Sequence, residues 1–208
     1  MKIRNVLFGA ALVVSTAVIT SAVMSQDAKP GGQPPAMTPE QEAMMQKCIE
    51  AGTPGENHKI LAAKVGKWNG TGKFWMEPGG QPMENNFSAE YKSLYEGRYF
   101  TETVEGPGMM GEGTFMGQGT CGYDNVTKKF FFTWIDSMST GLMDGTGTYN
   151  AGNKTFTYTT EHSCPVTGKR VNGRTVETWK SNDQIVVESY GPHPETGKEF
   201  KMMEITYA

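Results

Sequence analysis

Acidic side chains recur among aromatic ones along the second half of the chain: Glu102, Asp136, Glu161, Glu177, Glu188 and Glu204. On an extended chain alternate residues share a face, so Phe100, Glu102 and Val104 align together, as do Phe130, Phe132, Trp134 and Asp136. If those faces turn inward, carboxylates and rings share one cavity. Two carboxyl groups in different surroundings can then act as general acid and base. The opposing reading has the same glutamates facing water, or pairing across strands with Arg98, Arg174, Lys180 and Lys201. Asp136 follows an aromatic run and precedes the turn Ser137-Met138-Ser139-Thr140-Gly141, which makes it the first carboxylate to test.

Other chemistries find less support. His58, His162 and His193 show no His-x-His or His-x-x-x-His spacing, and no Cys-x-x-C pattern is present, so no metal site is expected. The segment Gly106-Pro107-Gly108-Met109-Met110-Gly111-Glu112-Gly113 lacks Gly-Lys-Ser/Thr and a following helix, so it reads as a loop able to cover a barrel mouth, not as a phosphate cradle. No Gly-x-Ser-x-Gly elbow occurs. Methionines at Met116, Met138, Met143, Met202 and Met203 suit an adaptable apolar pocket as well as an ordinary core. Cys121 and Cys164 would, if bonded, close a loop contributing about 4 kcal/mol in the chain-entropy treatment. Three free thiols, with Cys48 on an N-terminal arm, is the alternative.

The elements that must position these residues change character along the chain. Residues 1–25 have the anatomy of a signal peptide: Lys2 and Arg4, then an apolar run from Val6 to Ile19, with cleavage expected after Ala22 or Ser25. An uncleaved anchor is the rival reading, and Val6–Val23 is barely long enough for it. A Pro/Gly-rich linker occupies 26–37. Thr38, Pro39 and Gln41 then form the start of a helix running to about Ala51, ended by Gly52. Its Met44, Met45, Cys48 and Ile49 make one apolar face, expected to rest on the following domain or to dock a partner.

His58 to Val65 reads as a second short helix. From Trp68 onward the period becomes two, in strands near 68–75, 86–95, 99–105, 114–123, 129–135, 142–149, 155–161, 174–180, 184–190 and 200–207. Turn residues such as Pro78-Gly79-Gly80 and Ser181-Asn182-Asp183 separate them. This order predicts an all-β domain over 56–208: an antiparallel up-and-down β-barrel of about ten strands with one or two short N-terminal helices. Closure would remove the edges that otherwise invite aggregation.

The formal charge of −3 includes Lys2 and Arg4, and no basic stripe exists, so nucleic acid is not an expected partner. The mature chain is expected to be periplasmic or secreted and without a membrane span, and its oligomeric state is left open. No cofactor is expected.

Gly66-Lys67-Trp68, at the junction of a short helix and the first strand, resembles the Gly-x-Trp start of lipocalins and other calycins, where the tryptophan closes the barrel floor. The runs His58-Lys59-Ile60-Leu61, Gly97-Arg98-Tyr99-Phe100, Gly122-Tyr123-Asp124-Asn125, Trp134-Ile135-Asp136-Ser137 and Met203-Glu204-Ile205-Thr206-Tyr207 occur in order and look like the family catalogued as domain of unknown function 1579. That resemblance implies a calycin-like barrel and carries no active site. Small barrels of the nitrobindin kind hold haem through a histidine, which would point to His193 or His162; a solvated turn histidine is the alternative.

Three functions follow. The first is a module holding a small hydrophobic or amphipathic molecule in a pocket of Trp68, Phe100, Glu102, Tyr123, Trp134, Asp136, Glu188 and Met203. The second is an envelope hydrolase or isomerase using Asp136 with Glu102 or Glu188. The third is an envelope interaction protein acting through its N-terminal helix and Cys48.

Overall fold

The computed structural model describes residues 36–108 and 112–208. The expected signal segment 1–25, nearly all of the linker 26–37 and Met109-Met110 of the expected covering loop lie outside them. Two helices open the described chain, α1 (Pro39–Ala51) and α2 (Glu56–Ala62). Ten strands follow: β1 (Gly66–Phe74), β2 (Met83–Leu94), β3 (Tyr99–Pro107), β4 (Thr114–Asp124), β5 (Lys129–Asp136), β6 (Met143–Asn150), β7 (Thr155–Cys164), β8 (Lys169–Ser181), β9 (Gln184–Pro192) and β10 (Glu199–Tyr207).

Each strand is antiparallel to its sequence neighbour, and β10 returns to β1, so the sheet is a closed barrel. The closing seam runs from Gly70 opposite Tyr207 to Phe74 opposite Met203. Alternation does what the sequence pattern demands: Phe87, Ala89 and Tyr91 point inward from β2, and Phe156, Tyr158 and Thr160 from β7, while their neighbours face water. Tight turns join the strands; in the β2–β3 turn Gly97 takes φ 84°, a conformation glycine adopts without a Cβ clash.

One end of the barrel is filled. Leu61 from α2 is 1% exposed and packs with Phe100, Phe130, Phe156 and Tyr158. Phe130 and Phe156 meet edge to face at 5.0 Å. His58 belongs to this floor: its Nδ1 accepts a hydrogen bond from the Gly55 amide at 3.0 Å, and its ring meets Tyr123 at 5.8 Å. Burial holds its pKa below the ordinary histidine range.

The start of α1 follows the expected capping box. The Thr38 amide donates to Gln41 Oε1 at 2.8 Å, and the Gln41 amide donates to Thr38 Oγ1 at 3.3 Å. Its expected apolar seat is corrected: α1 buries none of its residues, and Ile49 is half exposed. The chain just beyond it is held by polar contacts, with Arg98 Nε donating to the Gly52 carbonyl at 3.0 Å and Asn125 Nδ2 to the Thr53 carbonyl at 2.8 Å. No helix among the described residues is long and apolar enough to cross a membrane.

The Cys121–Cys164 bond is also corrected, since all three cysteines are free. Cys121 lies opposite Phe132 on β5, Phe132 opposite Gly145 on β6, and Gly145 opposite Thr160 on β7. Cys164 is therefore three strands away and four residues further along. At about 4.8 Å per strand and 3.4 Å per residue, that is far beyond disulfide reach.

Phe156 is fully enclosed. Phe156→Ala is expected to lower unfolding free energy by about 3–5 kcal/mol in urea titrations read by tryptophan fluorescence. A loss below about 1 kcal/mol would mean that the floor is not close-packed.

Candidate functional site

Above the floor the barrel is hollow, with a cavity of about 430 Å³ open at the far end. Its upper wall is apolar, formed by Phe74, Phe87, Val104, Phe115, Trp134 and Met203. Met76, Met83, Met138 and Met143 border the mouth, where flexible thioethers can adapt to a ligand's outline. The Trp134 ring lies flat against β4 because Gly117 has no Cβ; any side chain there would collide with the indole. Trp134 Nε1 then donates to Asp136 Oδ2 at 3.0 Å.

The base of the cavity is polar. Lys64, in the short link between α2 and β1, inserts its ammonium under the barrel and pairs with Glu177 Oε2 at 2.7 Å, each side chain 8% exposed. The second oxygen of Glu177 accepts from Trp179 Nε1 at 3.1 Å. The Lys64 ammonium also sits 4.6 Å from the Tyr91 ring centroid. Burial disfavours the lysine's charge, but Glu177 together with the nearby Cys121 and Glu102 outweighs it, so the Lys64 pKa lies above its ordinary value. Such an ammonium is a fixed cation and a poor nucleophile.

Glu102 on β3 borders the same base. Tyr207 Oη donates to its Oε1 at 3.5 Å, a long contact. Burial raises the Glu102 pKa, while Lys64 and the Tyr91 hydroxyl act in the opposite sense without cancelling it. Burial likewise raises Tyr91, Tyr158 and Tyr207, keeping three phenols protonated. Cys121 beside them is pushed up to about 12 by burial, so its thiol is not a ready nucleophile.

Of the pocket residues expected from sequence, Glu102, Trp134, Asp136 and Met203 line this cavity. The other four do not. Phe100 is buried in the floor, and Tyr123 packs there on Phe130 at 4.8 Å. Trp68 packs instead against the cluster of Phe87, Ala89 and Tyr91, donating through Nε1 to the Lys64 carbonyl at 2.9 Å and meeting Trp179 at 6.4 Å. Glu188 is corrected to the outer face: Val187 and Ser189 on either side line the cavity, while Glu188 accepts from Lys201 and Tyr190, each at 3.1 Å. Any acid–base pairing of Asp136 with Glu188 is thereby removed. Asp136 and Glu102 share the cavity at different depths, and Asp136 Oδ1 is engaged by the Met138 amide at 2.9 Å. That arrangement gives the enzyme reading no paired acid and base.

The histidines stand apart from the cavity. His193 Nδ1 accepts from the Glu195 and Thr196 amides of its own turn, both at 3.3 Å. His162 is partly exposed, and its Nδ1 has no hydrogen-bond partner. No His/Cys/Asp/Glu cluster suited to a metal ion occurs among the described residues.

Sequence reasoning missed Lys64, Glu177, Tyr91, Tyr158 and Tyr207 as site residues. Part of the signal was present, because Glu177 shares strand parity with Thr175 and Trp179. Nothing local distinguishes Lys64 from the exposed Lys59 or Lys67; its burial comes from the link that carries it beneath the barrel.

A family model described as "Protein of unknown function (DUF1579)" matches residues 53–208, which take in α2 and all ten strands. No curated protein matches the chain. Among solved structures, Rv2717c from M. tuberculosis is similar at 11% identity with a TM-score of 0.53, covering 74% of this chain and 98% of that one. The S-type phycobiliprotein lyase CPES from Guillardia theta aligns at 9% identity with a TM-score of 0.49, covering 74% and 97%. Such likeness to Rv2717c shows the fold, a calycin-type barrel, and nothing of the activity.

The Lys64–Glu177 pair makes a direct prediction. Glu177→Gln leaves a buried ammonium unpaired and is expected to cost about 3–5 kcal/mol of unfolding free energy. The double substitution Lys64→Met with Glu177→Leu is expected to cost less than that single change. Chemical denaturation of the three proteins checks the ordering.

Proposed function

We propose, for a chain that belongs to the family described as protein of unknown function (DUF1579), that the barrel is a binding module holding one small, partly apolar molecule. The observation that carries this reading is the cavity itself: about 430 Å³, walled largely by aromatic and methionine side chains, with a buried polar cluster at its base and Asp136 toward its mouth. Pockets of this volume and lining suit a ligand that buries its apolar body and satisfies a few hydrogen bonds at one end. The chemistry at the base favours binding over turnover, since the lysine is held as a cation and the thiol is protonated. The proposal includes export, motivated by Lys2, Arg4 and the apolar run that follows them.

Native mass spectrometry of freshly purified protein is expected to show one retained small molecule. After its removal, the neutral dye N-phenylnaphthylamine is expected to bind with one-to-one stoichiometry and quench Trp134. Val187→Trp puts an indole into the cavity and is expected to weaken the dye by at least about tenfold, with an unchanged far-ultraviolet circular dichroism spectrum. An unaltered dye affinity in that variant, or no dye binding by the folded parent, would sink the reading.

N-terminal sequencing after expression with the leader is expected to begin just past Ala22 or Ser25. A full-length chain retained in the membrane fraction would replace export by anchoring.

A further inference from the structure

The charged groups around the cavity do not balance. Among the described residues, those that line it are Lys64, Glu102, Asp136 and Glu177, three carboxyl groups against one ammonium. The ammonium is committed to Glu177 at 2.7 Å. Glu102 has no ion-pair partner among the described residues. It also differs from Glu177 in its access, for Glu177 is sealed while Glu102 is mostly buried yet keeps some exposure where it lines the void.

Each element packed around Glu102 presents a group to it: Lys64 from the α2–β1 link, Tyr91 from β2, Cys121 from β4, Glu177 from β8 and Tyr207 from β10. Tyr158 on β7 completes the base of the cavity. None of these supplies a second cation. A buried charge is stable only when matched, and burial shifts Glu102 toward its protonated form. A bound molecule that brought its own positive charge would let that proton go. A bound anion would instead meet Glu177 with Lys64 already engaged, and would leave the base more negative.

Resting on the binding reading above, we propose that the cavity selects an amphipathic amine, its apolar body against Trp134, Phe87 and Met203 and its ammonium against the Glu102 carboxylate. The Tyr207 hydroxyl donates to that carboxylate at 3.5 Å. Asp136 at the mouth adds a second negative group on the approach path and draws cations toward the opening. The proton count closes simply: the amine enters as its ammonium, Glu102 releases one proton to solvent, and no covalent bond changes.

Three probes of equal chain length separate the possibilities: decylammonium, decanol and decanoate, each titrated into the whole protein by calorimetry. Decylammonium is expected to bind at least about tenfold tighter than decanol, as a charge-assisted hydrogen bond predicts, and decanoate weakest of the three. Lowering the pH from about 8 to about 5 should weaken decylammonium relative to decanol, because protons then compete for Glu102. Repeating the acid titration in buffers of different ionisation heat should register up to about one proton released per ammonium bound. In Glu102→Gln the ammonium-to-alcohol affinity ratio is expected to fall to about one. The proton release of the unaltered protein tests the same point should that variant not fold.

Decanoate binding tightest, equal affinities for ammonium and alcohol, or an undiminished ratio in folded Glu102→Gln would each overturn the amine assignment. Decanol binding without ammonium preference would do so while leaving the binding module intact. Failure of all three probes to bind folded protein would remove both.

Discussion

Closure of the sheet is the constraint on which everything else rests. β1 is hydrogen-bonded to β2 along its whole length and to β10 from Gly70 to Phe74, so the first strand of the barrel also meets its last. Once that seam forms, alternate residues on every strand have only two places to go, a shared interior or water. An open sheet of the same sequence would spread Glu102, Trp134 and Glu177 over a broad face, and no cavity would exist. The seam also removes the two edges a ten-stranded meander would otherwise expose.

Given closure, the asymmetry between the two ends decides what the interior can do. Leu61 and His58 from α2 enter one end and complete an aromatic floor with Phe100, Phe130 and Phe156. Nothing equivalent fills the other end among the described residues, where the interior-facing positions hold methionines and Trp134. The α2–β1 link therefore does two jobs. It covers the floor, and it delivers Lys64 to Glu177 across 113 residues of sequence. Trp68 and Trp179 brace this junction, one hydrogen-bonded to the Lys64 carbonyl and the other to the Glu177 carboxylate.

A buried ion pair is weak evidence for stability, because desolvation of both charges offsets most of their attraction. Its position at the base of an apolar cavity gives it a different significance. Lys64 and Glu177 set a fixed dipole beneath the void, and Glu102 beside them carries a carboxyl group whose charge the protein does not match. On the outside of the barrel the same residue types behave in the ordinary way: Arg170 bridges Asp144 and Glu161, Arg174 meets Glu199, and Lys201 meets Glu188 and Glu204. Those exposed pairs contribute little each. The contrast singles out the interior carboxylates as the ones whose chemistry a ligand would feel.

Much of this was legible in the residues themselves. All ten strands occur in the order that period-two alternation and turn residues predict, because each strand has one wet and one dry face and that difference is written locally, though β2 and β8 begin earlier, at Met83 and Lys169. The same parity put Glu102, Trp134 and Asp136 on interior faces, and the Thr38–Gln41 cap is a purely local device. Parity does not say which carboxylate meets which wall, so Glu188, one residue out of step with Val187, reads as interior in sequence yet faces outward. Nor does it give depth along the barrel, so Phe100 and Tyr123 read as pocket residues while they fill the floor. The burial of Lys64, its union with Glu177, and the distance between Cys121 and Cys164 depend on which segments the closed sheet brings together. Those are long-range outcomes of strand order and register, and only the tertiary structure decided them.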